Sequence, residues 1–224
     1  TAPVLKGNRV MQQLSALDAS FIFNENPRCP QHIGNLSIFD PTTAPGGKVR
    51  FKRIMQDAVE RGHLVPYLRQ RLVEVPFNAD FPYWINEESF EPEFHIRHIA
   101  LPEPGDWRQL CIQVARIYAR PLDRSRPLWE MYVIEGLDNV EGFPPGCYAM
   151  LSKTHHACID GSLSSDVGAA FADLSPIPDK GRIPPPGPWE VDPVPSDAEL
   201  LARASYHDLT KPLRLLETIG QTAP

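Results

Sequence analysis

The chain has 224 residues, 42% of them hydrophobic, which is enough to bury a substantial core. Its 22 basic residues stand against 28 acidic ones for a formal net charge of −6; with no run of Lys and Arg it has no nucleic-acid footprint and no simple attraction to anionic lipid. No stretch approaches the ~18 consecutive apolar residues of a spanning helix, the start TAPVLKGNRVMQQL has no apolar leader, and the scattered Cys29, Cys111, Cys147 and Cys158 fit reduced thiols. The expected compartment is the cytoplasm, with apolar contact to a membrane left open.

In chain order, LSALDASFIFNEN offers Ser15 as N-cap with Leu17, Phe21 and Ile22 at helical spacing, and HIGNLSIFD reads as a strand. FKRIMQDAVERGHL is a helix with Ile54, Ala58 and Val59 on one face, ending near Gly62. Extended segments follow at 71–75, 83–85 and 94–101, the last alternating from Phe94. Asp106 then caps a helix in WRQLCIQVARIYARP, with Leu110, Val114 and Ile117 on one stripe. PLWEMYVIEGL and CYAMLSKTHH are strands joined through GFPPG, and DGSLSSDVGAAFADLS places Leu163, Val167, Phe171 and Leu174 on a helix face.

Alternating strands and helices make the class α/β, a mixed sheet covered by helices. The division is a lobe over 1–175, a linker or strap over 176–196, and a helical connection over 197–224. Eight of the twenty residues from Pro176 to Pro195 are proline, which disfavours helix and central strand. Beyond it two helical stretches are expected, divided at Thr210 and Pro212. Their apolar positions, among them Leu200, Leu201, Ala204, Leu213, Leu216 and Ile219, look placed to pack on something outside this chain or on a membrane.

KTHHACIDG, at the end of the last strand, is the segment that carries chemistry. On a strand His155 and His156 point to opposite faces, which makes a poor metal pair, and Asp160 leaves the ligand set short; no metal is expected. Spacing alone leaves two readings open. One imidazole protrudes beyond the strand as a general base, with an ordinary pKa near 6.5 that suits proton transfer at neutral pH, while Asp160 fixes the loop and Gly161 permits a tight turn. Alternatively the histidines are structural and Asp-Gly is a cap or turn. Cys158, between Ala157 and Ile159, looks more like a small buried hydrophobe than a nucleophile, and an unperturbed Asp160 would be a weak base.

HHACIDG resembles the HHxxxDG motif of the CoA-dependent acyltransferase superfamily, which includes chloramphenicol acetyltransferase, carnitine acyltransferases and condensation domains. With LSALDASFIFNE, PQHIGNLSIFDP, RQRL and PLDRSRPLWEMYVIEGL around it, the chain resembles the N-terminal half of the bacterial wax ester synthase/diacylglycerol acyltransferase family, with Gln31 where that family has Met. The resemblance implies a chloramphenicol-acetyltransferase-like lobe in which His156 is the base, His155 is less defined, Asp160 is structural and paired with an arginine, and Gly161 keeps the turn open. Pro127 to Trp129 would be architectural. It implies acyl transfer from acyl-CoA as co-substrate, with no cofactor, to a long-chain alcohol or diacylglycerol. Its implied partner is a C-terminal lobe of the same protein, with peripheral contact to a membrane or lipid droplet. The alternative within the superfamily is a condensation-like or non-catalytic module that binds carrier-tethered acyl groups.

Overall fold

The computed structural model describes residues 11–88, 90–159, 171 and 183–222, with 211–222 described in backbone only. Two sheets organise them. The larger has the order β2–β7–β6–β5, formed by His32–Phe39, Tyr148–His155, Trp129–Glu135 and Ile96–Ala100. Its β2/β7 and β7/β6 pairs are antiparallel and its β6/β5 pair parallel. The smaller is antiparallel, with Gln12–Gln13 (β1) and Gln70–Val73 (β3) flanking Tyr83–Asn86 (β4).

Sequence chemistry accounts for the helices. In α1 (Ala16–Asn24) the Ser15 hydroxyl accepts from the Asp18 N–H, which satisfies one of the free donors at a helix start. Helix α2 spans Phe51–Arg61 and gives way at Gly62. Glu91 leads into a single turn, α3 (Pro92–His95), so Phe94 and His95 belong to a helical turn and β5 starts only at Ile96. Pro92 at its first position favours that turn over the extended segment expected from Phe94 onward. Helix α4 (Trp107–Tyr118) is capped by Asp106, whose carboxylate accepts from the Gln109 N–H at 2.9 Å.

Because strand side chains alternate, each face of the large sheet has its own cover. Leu110 and Ile117 of α4 pack with Tyr132, Ile134, Ala149 and Leu151 on one face. On the other, Trp129 joins Ala19 and Ile22 of α1, Ala58 of α2, Tyr67, Leu68, and Leu72 and Trp84 of the small sheet. Trp129 of the PLW triplet is buried, donates its indole N–H to the Leu68 carbonyl at 3.0 Å, and stacks on His95.

Two expectations for the C-terminal part are corrected. The last helix, α5 (Asp197–Thr222), is continuous across Pro212, since the Thr210 hydroxyl donates back to the Tyr206 and His207 carbonyls and does not cap a new helix. Leu200 and Ala204 are buried against Val73, Val75, Tyr83 and Ile85, so this part of the apolar stripe is covered by the chain's own small sheet. The described part of the proline-rich stretch, from residue 183 onward, is tied to the small sheet as a strap. Asn86 donates to the Glu190 carbonyl and the Asp192 carboxylate, and Trp189 donates to the Glu87 carbonyl. Among the described residues no helix is long and apolar enough to cross a membrane. Leu163, Val167 and Leu174 lie outside the described residues; Phe171 is partly buried against the core.

Candidate active site

Strand β7 ends at His155, held between two neighbours. The His155 N–H donates to the Leu128 carbonyl at 3.0 Å and the His156 N–H to the Gln31 carbonyl at 2.8 Å. From His156 to Cys158 the chain makes one tight helical turn. The His155 imidazole starts that turn, its Nδ1 accepting the Ala157 N–H at 3.0 Å. The two histidines therefore diverge. His155 lies fully buried opposite His32 of β2, while the half-buried His156 ring stacks on Phe21 of α1, centroids 4.7 Å apart and planes 18° from parallel.

With Nδ1 used as an acceptor, the neutral His155 ring carries its proton on Nε2. Nε2 faces Glu25 Oε1 at 3.9 Å, and both atoms are buried without a hydrogen-bond partner. Burial, then the charges of Arg124, His156 and His32, push the His155 pKa down to about 4. At neutral pH this contact is therefore a carboxylate facing a neutral imidazole, and no ion pair forms. Arg124 neutralises Glu25 from the other side, with Nε 2.7 Å from Oε2, and also donates to the Ile22 carbonyl and meets Glu74 at 3.2 Å.

Sequence reasoning missed Phe21, Glu25 and Arg124. They come from FIFNEN and PLDRSRP, and no helical or strand spacing links Glu25 to a residue 99 positions later. A charged residue closing an apolar helix was the available signal, and it names no partner. Asp160 and Gly161 lie outside the described residues.

Two further groups bear on chemistry. Cys158 is buried, and burial pushes its thiol pKa far up, so it is protonated and poorly suited to attack. Among the described residues no three His, Cys, Asp or Glu side chains converge as a metal set. A cavity of about 690 Å³ opens on the Trp129 face of the large sheet, lined by Met131, Ser152 and Thr154 of the strands, Ala58 and Val59 of α2, and Tyr67 and Leu68.

The mixed α/β fold of this lobe is shared with solved structures of an acyltransferase and of a condensation domain. A wax ester synthase/diacylglycerol acyltransferase from Marinobacter aquaeolei VT8 superposes with a TM-score of 0.57 at 29% identity, over 80% of this chain and 42% of that one. The starter condensation domain of rhizomide synthetase superposes at 0.53 with 12% identity, over 72% and 34%, which speaks for the fold alone. The family model described as the wax ester synthase/diacylglycerol acyltransferase catalytic domain matches residues 14–223, and the chain belongs to that family. A putative diacylglycerol O-acyltransferase of Mycobacterium tuberculosis is 36% identical over 214 residues, 96% of this chain and 42% of its own length. The probable diacylglycerol O-acyltransferase tgs3 of the same species is 35% identical over 214 residues, 94% of this chain and 73% of its own length. The chain thus spans less than half the length of the first of these relatives.

Proposed function

We propose that the protein transfers an acyl group from a long-chain acyl-CoA to the hydroxyl of a long-chain alcohol or of diacylglycerol, with His156 as general base. The reading rests on one contrast within the motif. His155 is buried, neutral and committed through Nδ1 to the turn, whereas His156 leaves the strand end half-exposed on the other side. The thioester is already activated, so no covalent nucleophile is needed, in keeping with a buried, protonated Cys158. His156 takes the acceptor's proton, the oxygen attacks the thioester carbonyl, and the tetrahedral intermediate collapses with cleavage of the C–S bond. The imidazolium returns its proton to the departing thiolate, so one residue serves both proton steps. Asp160 and Gly161, outside the described residues, keep in this reading the supporting roles that the motif resemblance implies.

The partner in this reading is a C-terminal lobe of the same protein, which supplies the facing wall that excludes water; the match to only 42% of the length of the putative Mycobacterium tuberculosis acyltransferase supports it. The setting is cytoplasmic, with peripheral contact to a membrane or lipid inclusion where the acceptor resides. The test uses the intact protein with labelled acyl-CoA and hexadecanol, diacylglycerol or an aminoacyl carrier as acceptor. His156→Ala should lose at least ~10²-fold in turnover at unchanged melting temperature. His155→Ala should act mainly by lowering stability. Equal catalytic loss in both variants, with both folded, would overturn the assignment, and transfer only to the aminoacyl carrier would move the protein to the condensation class.

A further inference from the structure

We infer that Phe21 is a positioning residue for His156: its ring holds the imidazole in the orientation from which it takes a proton, and stabilises the imidazolium once formed. The inference rests on the acyl-transfer reading above and adds to it a residue outside the motif. The two ring centroids lie 4.7 Å apart with planes 18° from parallel, a stacked pair. Among the described residues His156 has no other ring contact, and its imidazole nitrogens have no hydrogen-bond partner. His155 is the opposite case, buried and committed through Nδ1 to the Ala157 N–H. His156 is tied by its backbone N–H to the Gln31 carbonyl, which leaves its ring free to turn about the side-chain bonds. The Phe21 face restricts that rotation.

A contact of this kind suits a base because of the atoms it uses. A hydrogen bond to either ring nitrogen would occupy a site of proton exchange or fix the tautomer. A face contact restrains the plane of the ring and leaves both nitrogens on open edges. It also acts unequally on the two charge states. The negative face of a phenyl ring attracts a cation, so the imidazolium that forms as the acceptor gives up its proton is held more firmly than the neutral ring. An interaction that strengthens during proton transfer lowers the barrier and does not merely tighten binding.

Phe21 is itself held still. On either side of it in α1, Ala19 and Ile22 are buried in the same apolar cluster as Ala157 and Cys158 of the motif turn, and the helix packs directly on that turn. At the far end Arg124 grips Glu25 and the Ile22 carbonyl. None of these anchors passes through the Phe21 ring, which is only half-buried. Replacing that ring therefore leaves the helix seated and changes what His156 leans on.

The test separates a flat ring from bulk in the intact protein. Phe21→Tyr keeps the ring, while Phe21→Leu and Phe21→Met keep apolar volume without it, so a folding defect in one aliphatic variant leaves the other to decide. Transfer from labelled acyl-CoA to hexadecanol or diacylglycerol is measured beside thermal melts. The His156 ring is observed by NMR with carbon-labelled histidine, its signal assigned by its loss in His156→Ala. Phe21→Leu and Phe21→Met should lose ~10-fold in kcat at nearly constant KM and melting temperature, with Phe21→Tyr close to the parent. The ring protons of His156 should resonate upfield in the parent, under the stacked phenyl, and move downfield in Phe21→Leu. Parental kcat in the aliphatic variants, an equal loss in Phe21→Tyr, or ring protons that Phe21→Leu does not move would overturn the inference and leave His156 as base. Turnover that survives His156→Ala would sink the base reading, and the positioning role with it.

Discussion

Glu25 Oε1 and His155 Nε2 face each other at 3.9 Å, each buried and without a hydrogen-bond partner. Through this juxtaposition the end of α1 is set against the residue that shapes the motif turn, while Phe21 of the same helix stacks on His156. One short helix thus touches both histidines. Arg124 fastens it from outside by gripping Glu25 and the Ile22 carbonyl.

Glu25→Gln keeps the shape of that contact and removes its charge. Arg124 would keep Glu74, the Ile22 carbonyl and at best a neutral amide oxygen at position 25, and the charge of the Arg124–Glu25 pair, with the glutamate side chain only 8% exposed, would be lost. We expect a stability loss of ~1–3 kcal/mol, together with a fall in kcat at nearly constant KM as α1 loosens against His156. Thermal melts and steady-state kinetics measure both. Wild-type values in each would mean that Glu74 suffices to hold Arg124.

Acid should destabilise the lobe through His155. Its folded pKa, lowered to about 4 chiefly by burial and then by Arg124, lies below the ordinary 6.5, so the unfolded chain takes up a proton before the folded one. Stability from this group is fully present above about pH 6.5 and is lost as pH falls toward about 4, at most roughly 3 kcal/mol. His32 and His95 are lowered by burial in the same direction and add to the slope. His155→Asn, whose side-chain oxygen can still accept the Ala157 N–H, should flatten the dependence without abolishing it. Chemical denaturation at several pH values decides; an unchanged slope would place the titration elsewhere.

Much of the fold was legible in the sequence because local chemistry and tertiary structure agree. Ser15 and Asp106 cap the helices they precede, and the alternation in Tyr148–His155 gives a strand with every second residue buried. The disagreements have local causes. Proline at the head of α3 pulled Phe94 and His95 out of the strand, and Pro212 was accommodated inside α5. The site was legible only as a motif. The strand period set His155 and His156 on opposite faces, yet the strand ends at His155 and it is the turn from His156 to Cys158 that parts them; the Glu25–Arg124 support joins residues 99 apart, and burial of a lysine in SKTHH runs against its composition.

Gly34→Ala should be costly although the position lies in an ordinary strand. A Cβ there would overlap the Tyr118 ring and stand 2.8 Å from the Ser152 carbonyl oxygen. Tyr118 crosses this point because its hydroxyl donates to the His32 carbonyl while His32 Nε2 contacts the Tyr118 carbonyl, so the ring is held at both ends. Overpacking of this kind costs ~1–3 kcal/mol. Removing the ring as well, in Gly34→Ala/Tyr118→Ala, should recover only part of the melting temperature, since the backbone clash stays. Full recovery would show that the ring alone sets the constraint.

Lys153, two residues before His155, has a fully buried side chain on the His155 face of β7, directly across from Gly34. Its ammonium donates to the carbonyls of Ile117 and Arg120 at the end of α4, where the helix dipole favours a cation. Glu130 lies 3.7 Å away and is itself held by the Tyr132 hydroxyl and by Arg97. The lysine therefore ties the end of α4 to the strand that carries the motif. Burial is the main force lowering its pKa, with Glu130 opposing it. Lys153→Met keeps the apolar stem and removes the charge, which leaves two carbonyls and Glu130 without their cation. Breaking a buried pair in this way costs roughly 3–5 kcal/mol. Adding Glu130→Gln should restore part of that loss by removing the stranded carboxylate, which denaturant titration of the single and double variants would measure. A single variant as stable as the parent would mean that the ammonium contributes nothing net. A double variant that is worse than the sum of the singles would mean that Glu130 serves Arg97 and Tyr132 more than it serves Lys153.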